Sequence, residues 1–352
     1  MAILLSKIKA GIVRLANRGR GDRFFAWLAD RFQGKKNAAG HPVFPFIKKR
    51  RERSCQILAY HRVNDENDPF FPGLPTSQFA RQMEVLAERF TLCSVDRLLQ
   101  GIHSGDLPEH AVAVTFDDGY CDNYVNAFPI LKRYNIPATI FLTTGVIGCR
   151  KTLWHDRVFA ILRQTRVPEL SNFGPKNTTL CLRSLADKLQ SQGQILKYLW
   201  SLDAEARDLA IAELCHRLDV HDRQGDALML SWEEVSEMSR DGIQFGAHTV
   251  NHPVLARLRP EEARQEIFGS KRAIETVLNT AVTSFAYPIG RSVDFTATTK
   301  TMVQEAGFSC GLTMIFGNNP PGTDLYEIRR ISSWNEDADA FGLRLKYYNF
   351  CT

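Results

Sequence analysis

No run of about 20 apolar residues occurs anywhere in this 352-residue chain, which argues against a helix crossing a bilayer. A secretory signal is missing too, because Arg14 and Arg18 interrupt the short apolar runs near the start. The 8 cysteines contain no Cys-x-x-Cys pair and follow no regular spacing, as expected of free thiols in a reducing compartment. These absences predict a cytoplasmic location. No aromatic-interleaved sheet or reading motif accompanies the basic residues, so nucleic acid is not an expected partner. Histidine runs out early: the last of 9 is His252, and any imidazole chemistry must draw on that residue or earlier ones.

What is present is unevenly distributed. Residues 1–54 carry 14 Lys/Arg against 3 Asp/Glu, so the overall +5 conceals a remainder of net −6. Within this arm Ile3, Leu4, Leu5, Ile8, Ile12, Leu15, Phe24, Trp27 and Leu28 recur at near-helical spacing among Lys7, Lys9, Arg14, Arg18 and Arg23. Such an amphipathic arm either lies on the inner face of a membrane or docks on the body of the protein. Gly34, Gly40, Pro42 and Pro45 mark a linker out of it. Beyond it, a hydrophobic content of 44% supports one large core, and single barrel domains commonly exceed ~200 residues.

The chemistry gathers at two places. Ala111-Val112-Ala113-Val114 reads as a strand buried on both faces, and it ends in Thr115-Phe116-Asp117-Asp118-Gly119-Tyr120. On a regular strand two adjacent acids would point to opposite faces, so a turn at Gly119 is needed to bring both inward. One carboxylate can then ligate a metal while the other acts as a base on the water it activates. Downstream, His248 and His252 follow the short apolar run Ile243-Gln244-Phe245-Gly246-Ala247, at a spacing recurrent among metal ligands. The pair is not of the thermolysin type, since no Glu lies between the histidines and Pro253 suits only the first turn of a helix.

In this order the two motifs resemble those of the polysaccharide deacetylase family, the carbohydrate esterases (family 4) that share the NodB homology domain. The likeness extends over roughly residues 55 to 335. It implies an α/β fold, a distorted (β/α) barrel of about seven strands, occupying 55–352 here. It also implies one divalent metal, usually zinc, held by Asp118, His248 and His252, with Asp117 as general base. The family pattern Phe-Arg-x-Pro-Tyr-Gly falls on Phe285-Ala286-Tyr287-Pro288-Ile289-Gly290, which makes the Ile289 N–H the oxyanion donor. The Arg that orients the base is absent at Ala286, and Arg330 is the first candidate to replace it, Arg291 the second. Gln56 to Val63 contains Tyr60-His61-Arg62-Val63, similar to a subgroup acting on exopolysaccharides, in which the early histidine is the general acid; this assigns that role to His61.

The expected reaction is hydrolysis of N-acetyl groups on amino sugars of a polysaccharide or glycan precursor. An O-acetyl esterase or small-molecule amidohydrolase on the same scaffold, or a non-catalytic glycan-binding protein, stays open. Residues at about 150–230 read as a helical insertion, with Val158, Ile161 and Leu162 and later Leu196, Leu199 and Trp200 at helical spacing. It opens on Leu153-Trp154-His155-Asp156, and Trp154 and Asp156 are expected to contact sugar, as are Tyr120 and Tyr287. A helix from Pro260 is expected to turn Ile267, Ile274, Val277 and Leu278 inward.

Overall fold

The computed structural model describes residues 53–221, 228–332 and 336–348, so the basic arm, apart from its last two residues, lies outside the described residues. Seven parallel strands form a closed barrel: β1 (Gln56–Tyr60), β2 (Ala111–Phe116), β3 (Ala138–Leu142), β4 (Gln244–Ala247), β5 (Ser284–Ala286), β6 (Cys310–Phe316) and β7 (Ile328–Ser332). Each strand pairs with its neighbours in sequence, and β1 closes the ring by pairing with β2 (Leu58 beside Val114) and with β7 (Leu58 beside Ile331). A two-residue strand, Thr91–Leu92, extends the sheet beyond β2.

Alternation along the strands sorts their side chains into two layers. Leu58, Tyr60, Val112, Val114, Phe116, Ile140 and Leu142 pack outward under the helices, with Phe79, Met83 and Leu86 of helix Thr76–Arg89 among their neighbours. Ile57, Ala113, Phe141, Ala286, Leu312 and Ile328 belong to a separate inner cluster. Small residues in that inner layer, Ala113 and Ala286, leave space for larger polar groups higher in the barrel. Apolar runs covered on both faces are what parallel barrels require.

Helix Pro260–Leu278 buries Ala263, Ile267, Ser270 and Ile274, whereas Val277 is 40% exposed. The expectation that Val277 faces inward is therefore corrected, while Leu278 of the same turn is partly buried against the core. Between β3 and β4 the chain forms helices Trp154–Gln164, Leu185–Leu199 and Ala204–Arg217, and also an antiparallel hairpin, Glu169–Phe173 with Thr178–Cys181, which helical periodicity did not foretell. These elements share a core of their own, built around Trp154, Phe159, Leu162, Ile195, Leu199 and Leu214. No helix among the described residues is long and apolar enough to cross a membrane.

Candidate active site

Asp117, Asp118, His61 and His248 sit where strands end at the C-terminal mouth of the barrel, the face on which barrels of this kind carry function. At the end of β2 the Asp117 N–H donates to the Tyr60 carbonyl (3.0 Å), tying the acid to the end of β1. The chain then enters the left-handed region at Asp118 (φ 75°) and Gly119 (φ 86°). This reversal, one residue earlier than Gly119 alone would give, is what aims both acids at the same space. A side chain at Gly119 would meet Leu142 Cδ2 at 2.8 Å, so glycine is needed for room as well as for φ.

Asp117 is held by the one group that rises from within a strand. Arg330 of β7 is 1% exposed and reaches across the barrel interior to form a bidentate pair, Nη1 to Oδ1 and Nη2 to Oδ2, both 2.7 Å. Its Nε donates to the Thr313 carbonyl (2.9 Å), and its guanidinium lies over Phe141. Ala286, which stands where the family has Arg, contributes only a methyl group to the same interior. Arg291 is engaged elsewhere, with Asp294 (2.7 Å). Burial by itself would raise the Asp117 carboxyl, but the charge of Arg330, with His248, its hydrogen bonds and His61 adding to it, brings it down to about 2.

Its neighbour is driven the other way. Burial, then the charges of Asp117 and Asp156, push Asp118 well above the usual carboxylate range. His248 Nε2 lies 3.6 Å and His252 Nε2 3.4 Å from Asp118 Oδ1, and one donor atom from each of the three lies within 4.8 Å of the others. These short separations are not ion pairs. Burial lowers His248 to about 4 and, together with His248 and His155, holds His252 well below its ordinary value, so both imidazoles are neutral at pH 7. Asp118 Oδ1 is buried without a hydrogen-bond partner among the described residues, as is His252 Nδ1.

This donor set fits a divalent metal. A tetrahedral ion with bonds of about 2.0–2.2 Å separates its donors by roughly 3.3–3.6 Å. The orphaned Asp118 oxygen and two uncharged imidazoles are what such an ion would satisfy. His248 is already oriented, because its Nδ1 bonds to the Ala286 carbonyl at 2.7 Å and leaves Nε2 free to ligate.

The loop between the histidines is braced from three sides, and one of the braces, Glu266, lay outside every sequence motif. Val250 N and Asn251 N both donate to Glu266 Oε2 (2.8 Å), from helix Pro260–Leu278. Thr249 Oγ1 accepts from His252 N (3.1 Å), and Trp154 Nε1 donates to the His252 carbonyl (3.3 Å). Thr249 (φ 66°) and His252 (φ 55°) are held in left-handed conformations, a strain that persists only where surroundings over-determine it. Glu266 was missed because nothing local distinguishes a helical Glu that accepts from a distant loop.

Two residues expected to contact sugar are buried against protein. Trp154 is 5% exposed, donates its N–H to the His252 carbonyl and stacks under Arg207, so it supports the histidine loop. Tyr287 is fully buried, stacks on Phe295 and donates its hydroxyl to the Tyr326 carbonyl (3.1 Å), which makes it a core residue. Tyr120 is also fully buried; its hydroxyl lies 3.1 Å from His155 Nε2 and 3.2 Å from both Asp156 oxygens. Asp156, raised by burial to about 7, is the member of that group that lines a cleft of about 830 Å³, together with Phe71, Phe159, Arg62 and Lys188. Asp118, His248 and His252 do not line this cleft, but its Phe71 packs edge-on to His61 and to His155, whose ring in turn contacts His252.

His61 follows β1 at the rim and is partly exposed; burial lowers its pKa and the nearby Asp117 charge opposes that shift. Ile289 (φ 61°) and Gly290 (φ 67°) form the tight turn after β5, locked by Gly290 N to Pro288 O (2.6 Å) and Met314 N to Gly290 O (2.8 Å). Among the described residues the Ile289 N–H has no protein acceptor.

Known proteins were compared once this geometry was established. Residues 104–311 match the polysaccharide deacetylase family model. Bacillus subtilis YxkH is 22% identical over 300 residues, 84% of this chain and 78% of that protein. The poly-β-1,6-N-acetyl-D-glucosamine N-deacetylase of Staphylococcus epidermidis is 26% identical over 222 residues, 56% of this chain and 73% of that enzyme. Among solved structures, the Streptococcus pyogenes deacetylase PplD in complex with acetate superposes with TM-score 0.55 at 21% identity, covering 81% of this chain and 95% of that one. IcaB from Ammonifex degensii gives 0.54 at 20%, covering 84% and 97%. Those two likenesses establish the barrel alone, while the family model spans both the Asp117-Asp118 and the His248–His252 motifs: the chain belongs to the polysaccharide deacetylase family.

Proposed function

We propose that this protein is a metal-dependent N-deacetylase acting on the amino sugars of a polysaccharide or glycan precursor. The observation that carries the reading is the pairing of two adjacent acids with opposite environments: Asp117 locked by Arg330, and Asp118 facing two neutral imidazoles. Asp118, His248 and His252 would hold the ion, and zinc suits one carboxylate with two imidazoles. When bound, the ion supplies Lewis acidity toward the acetyl oxygen and lowers the pKa of water from ~15.7 toward ~7. Asp117 takes the proton of the attacking water, with Arg330 fixing the plane of its carboxylate. The Ile289 N–H donates to the developing oxyanion. His61 protonates the departing amine, the C–N bond breaks, and acetate and a free amino sugar result.

The non-catalytic reading rested on the Arg missing at Ala286, and Arg330 removes that motive. Purified zinc-loaded protein is expected to release acetate from N-acetylglucosamine oligomers and not from acetylxylan, with Asp117→Asn abolishing turnover. Acetate from acetylxylan alone would establish the esterase alternative, and amino-sugar binding without turnover the glycan-binding one. We place the protein on the cytoplasmic side, on sequence grounds; fractionation that recovers it only from the periplasm refutes this.

A further inference from the structure

We propose that Asp122 is the positioning residue for His61, an inference that rests on the reading of His61 as the acid of the proposed reaction. Asp122 lies five residues past Asp117, buried, on the turn that leads into a π-helical segment, Asn123–Ala127. Such segments are rare and concentrate at functional sites. Its two oxygens accept four donors. Oδ2 takes Arg62 Nε (2.8 Å) and Asn64 Nδ2 (2.7 Å), while Oδ1 takes Val63 N (3.3 Å) and Asn123 Nδ2 (3.1 Å).

Three of those donors are the residues immediately after His61. Asn123 completes the clamp by donating from the same Nδ2 to the His61 carbonyl at 2.8 Å, and Asn126 Nδ2 donates to the Val63 carbonyl at 2.8 Å. The backbone from 61 to 64 is thereby fastened by side chains to the chain that leaves the two acids. Arg62, with 7% of its side chain exposed, pairs with Asp122 and covers the Tyr120 ring. Its neighbour His61 is left to face the mouth. One short segment, Asp117 to Asn126, therefore provides the base and a metal ligand and also fixes the group on the other side of the reacting bond.

The test uses the full-length zinc-loaded protein with Asp122→Asn, Asn123→Ala, His61→Ala and the double variant Asp122→Asn/His61→Ala. On an N-acetylglucosamine oligomer, Asp122→Asn is expected to lower kcat at least ~10-fold with KM within about 3-fold, approaching the ~10²-fold or greater loss of His61→Ala. On 4-nitrophenyl acetate, whose leaving group needs no proton, Asp122→Asn should stay within about 2-fold of the parent. The double variant should be no worse than His61→Ala alone. Asn123→Ala, which removes the side-chain bonds to the His61 carbonyl and to Asp122 Oδ1 but leaves the other three donors to Asp122, gives the same pattern more weakly if Asp122→Asn does not fold. Independently of turnover, the His61 imidazole NMR signal, identified by its loss in His61→Ala, should shift or broaden in Asp122→Asn while those of His248 and His252 hold. Equal losses on amide and ester, additive losses in the double variant, or an unmoved His61 signal each overturn the proposal. If the parent releases no acetate from any amino sugar, the deacetylase reading fails, and the imidazole spectra alone decide whether Asp122 positions His61.

Discussion

Replacing Arg330 by Met tests the site at its most constrained contact. Met keeps much of the aliphatic stem and deletes the guanidinium, so Asp117, 2% exposed, loses both bonds of 2.7 Å without gaining access to water. Breaking a buried pair by removing one partner costs about 3–5 kcal/mol, far more than an exposed pair. A second route to the magnitude starts from Asp117, brought from 3.8 to about 2, a difference worth roughly 2–3 kcal/mol for the ionised form. The two agree in order of magnitude. Urea unfolding of chelated Arg330→Met should therefore give a stability about 3–5 kcal/mol below the parent at pH 7. Because the folded pKa is depressed, the contribution is complete above the unfolded value of ~3.9 and disappears as pH falls through about 2, so the gap between variant and parent should narrow over that window. Asp117→Asn/Arg330→Met should recover much of the stability and none of the activity, since removing both charges leaves nothing unpaired. A loss below ~1 kcal/mol, or a kcat within a few-fold of the parent, would refute the claim that Arg330 holds the base.

Other expectations are more local. Chelation should abolish acetate release and lower the unfolding temperature, with zinc restoring both; His248→Ala and His252→Ala should bind no zinc by equilibrium dialysis. Tyr287→Phe should lower stability by about 1 kcal/mol through the lost bond to the Tyr326 carbonyl while leaving KM unchanged, and a raised KM would reinstate it as a sugar contact. Glu266→Ala frees two backbone N–H groups of the loop between the metal-ligand histidines; zinc affinity should fall about 10-fold or more, read by competition with a chromophoric chelator. Gly119→Ala should destabilise by at least about 1 kcal/mol, since φ is 86° and Leu142 lies 2.8 Å from the added carbon.

Much of this site was legible because its parts are marked locally. An apolar run ending in two acids, and a second ending in a histidine, state strand, strand end and chemistry in one segment. Arg330 was a candidate once Ala286 was seen to lack the expected cation, because a strand pattern surrounds it and does not surround Arg291. What was not legible depends on distance. Glu266 and Trp154 act on the histidine loop through backbone groups, and backbone groups leave no trace in composition. Tyr287 sits in a motif yet turns away from the mouth, because the left-handed turn at Ile289 begins only after it. The hairpin at Glu169–Phe173 and Thr178–Cys181 was missed because only Leu170, Phe173 and Leu180 of its nine residues are buried, too few to show a period.

The pair of Arg330 and Asp117 joins residues 213 positions apart, across strands that bracket almost the whole barrel. During synthesis the acids emerge early and their counter-ion near the end. Until β7 is made and packed beside β1, the interior has no cation for Asp117, and a lone carboxylate in that space would take up a proton and lose its value as a base. On the proposed mechanism, hydrolytic competence therefore waits for ring closure, which brings the cation to the base.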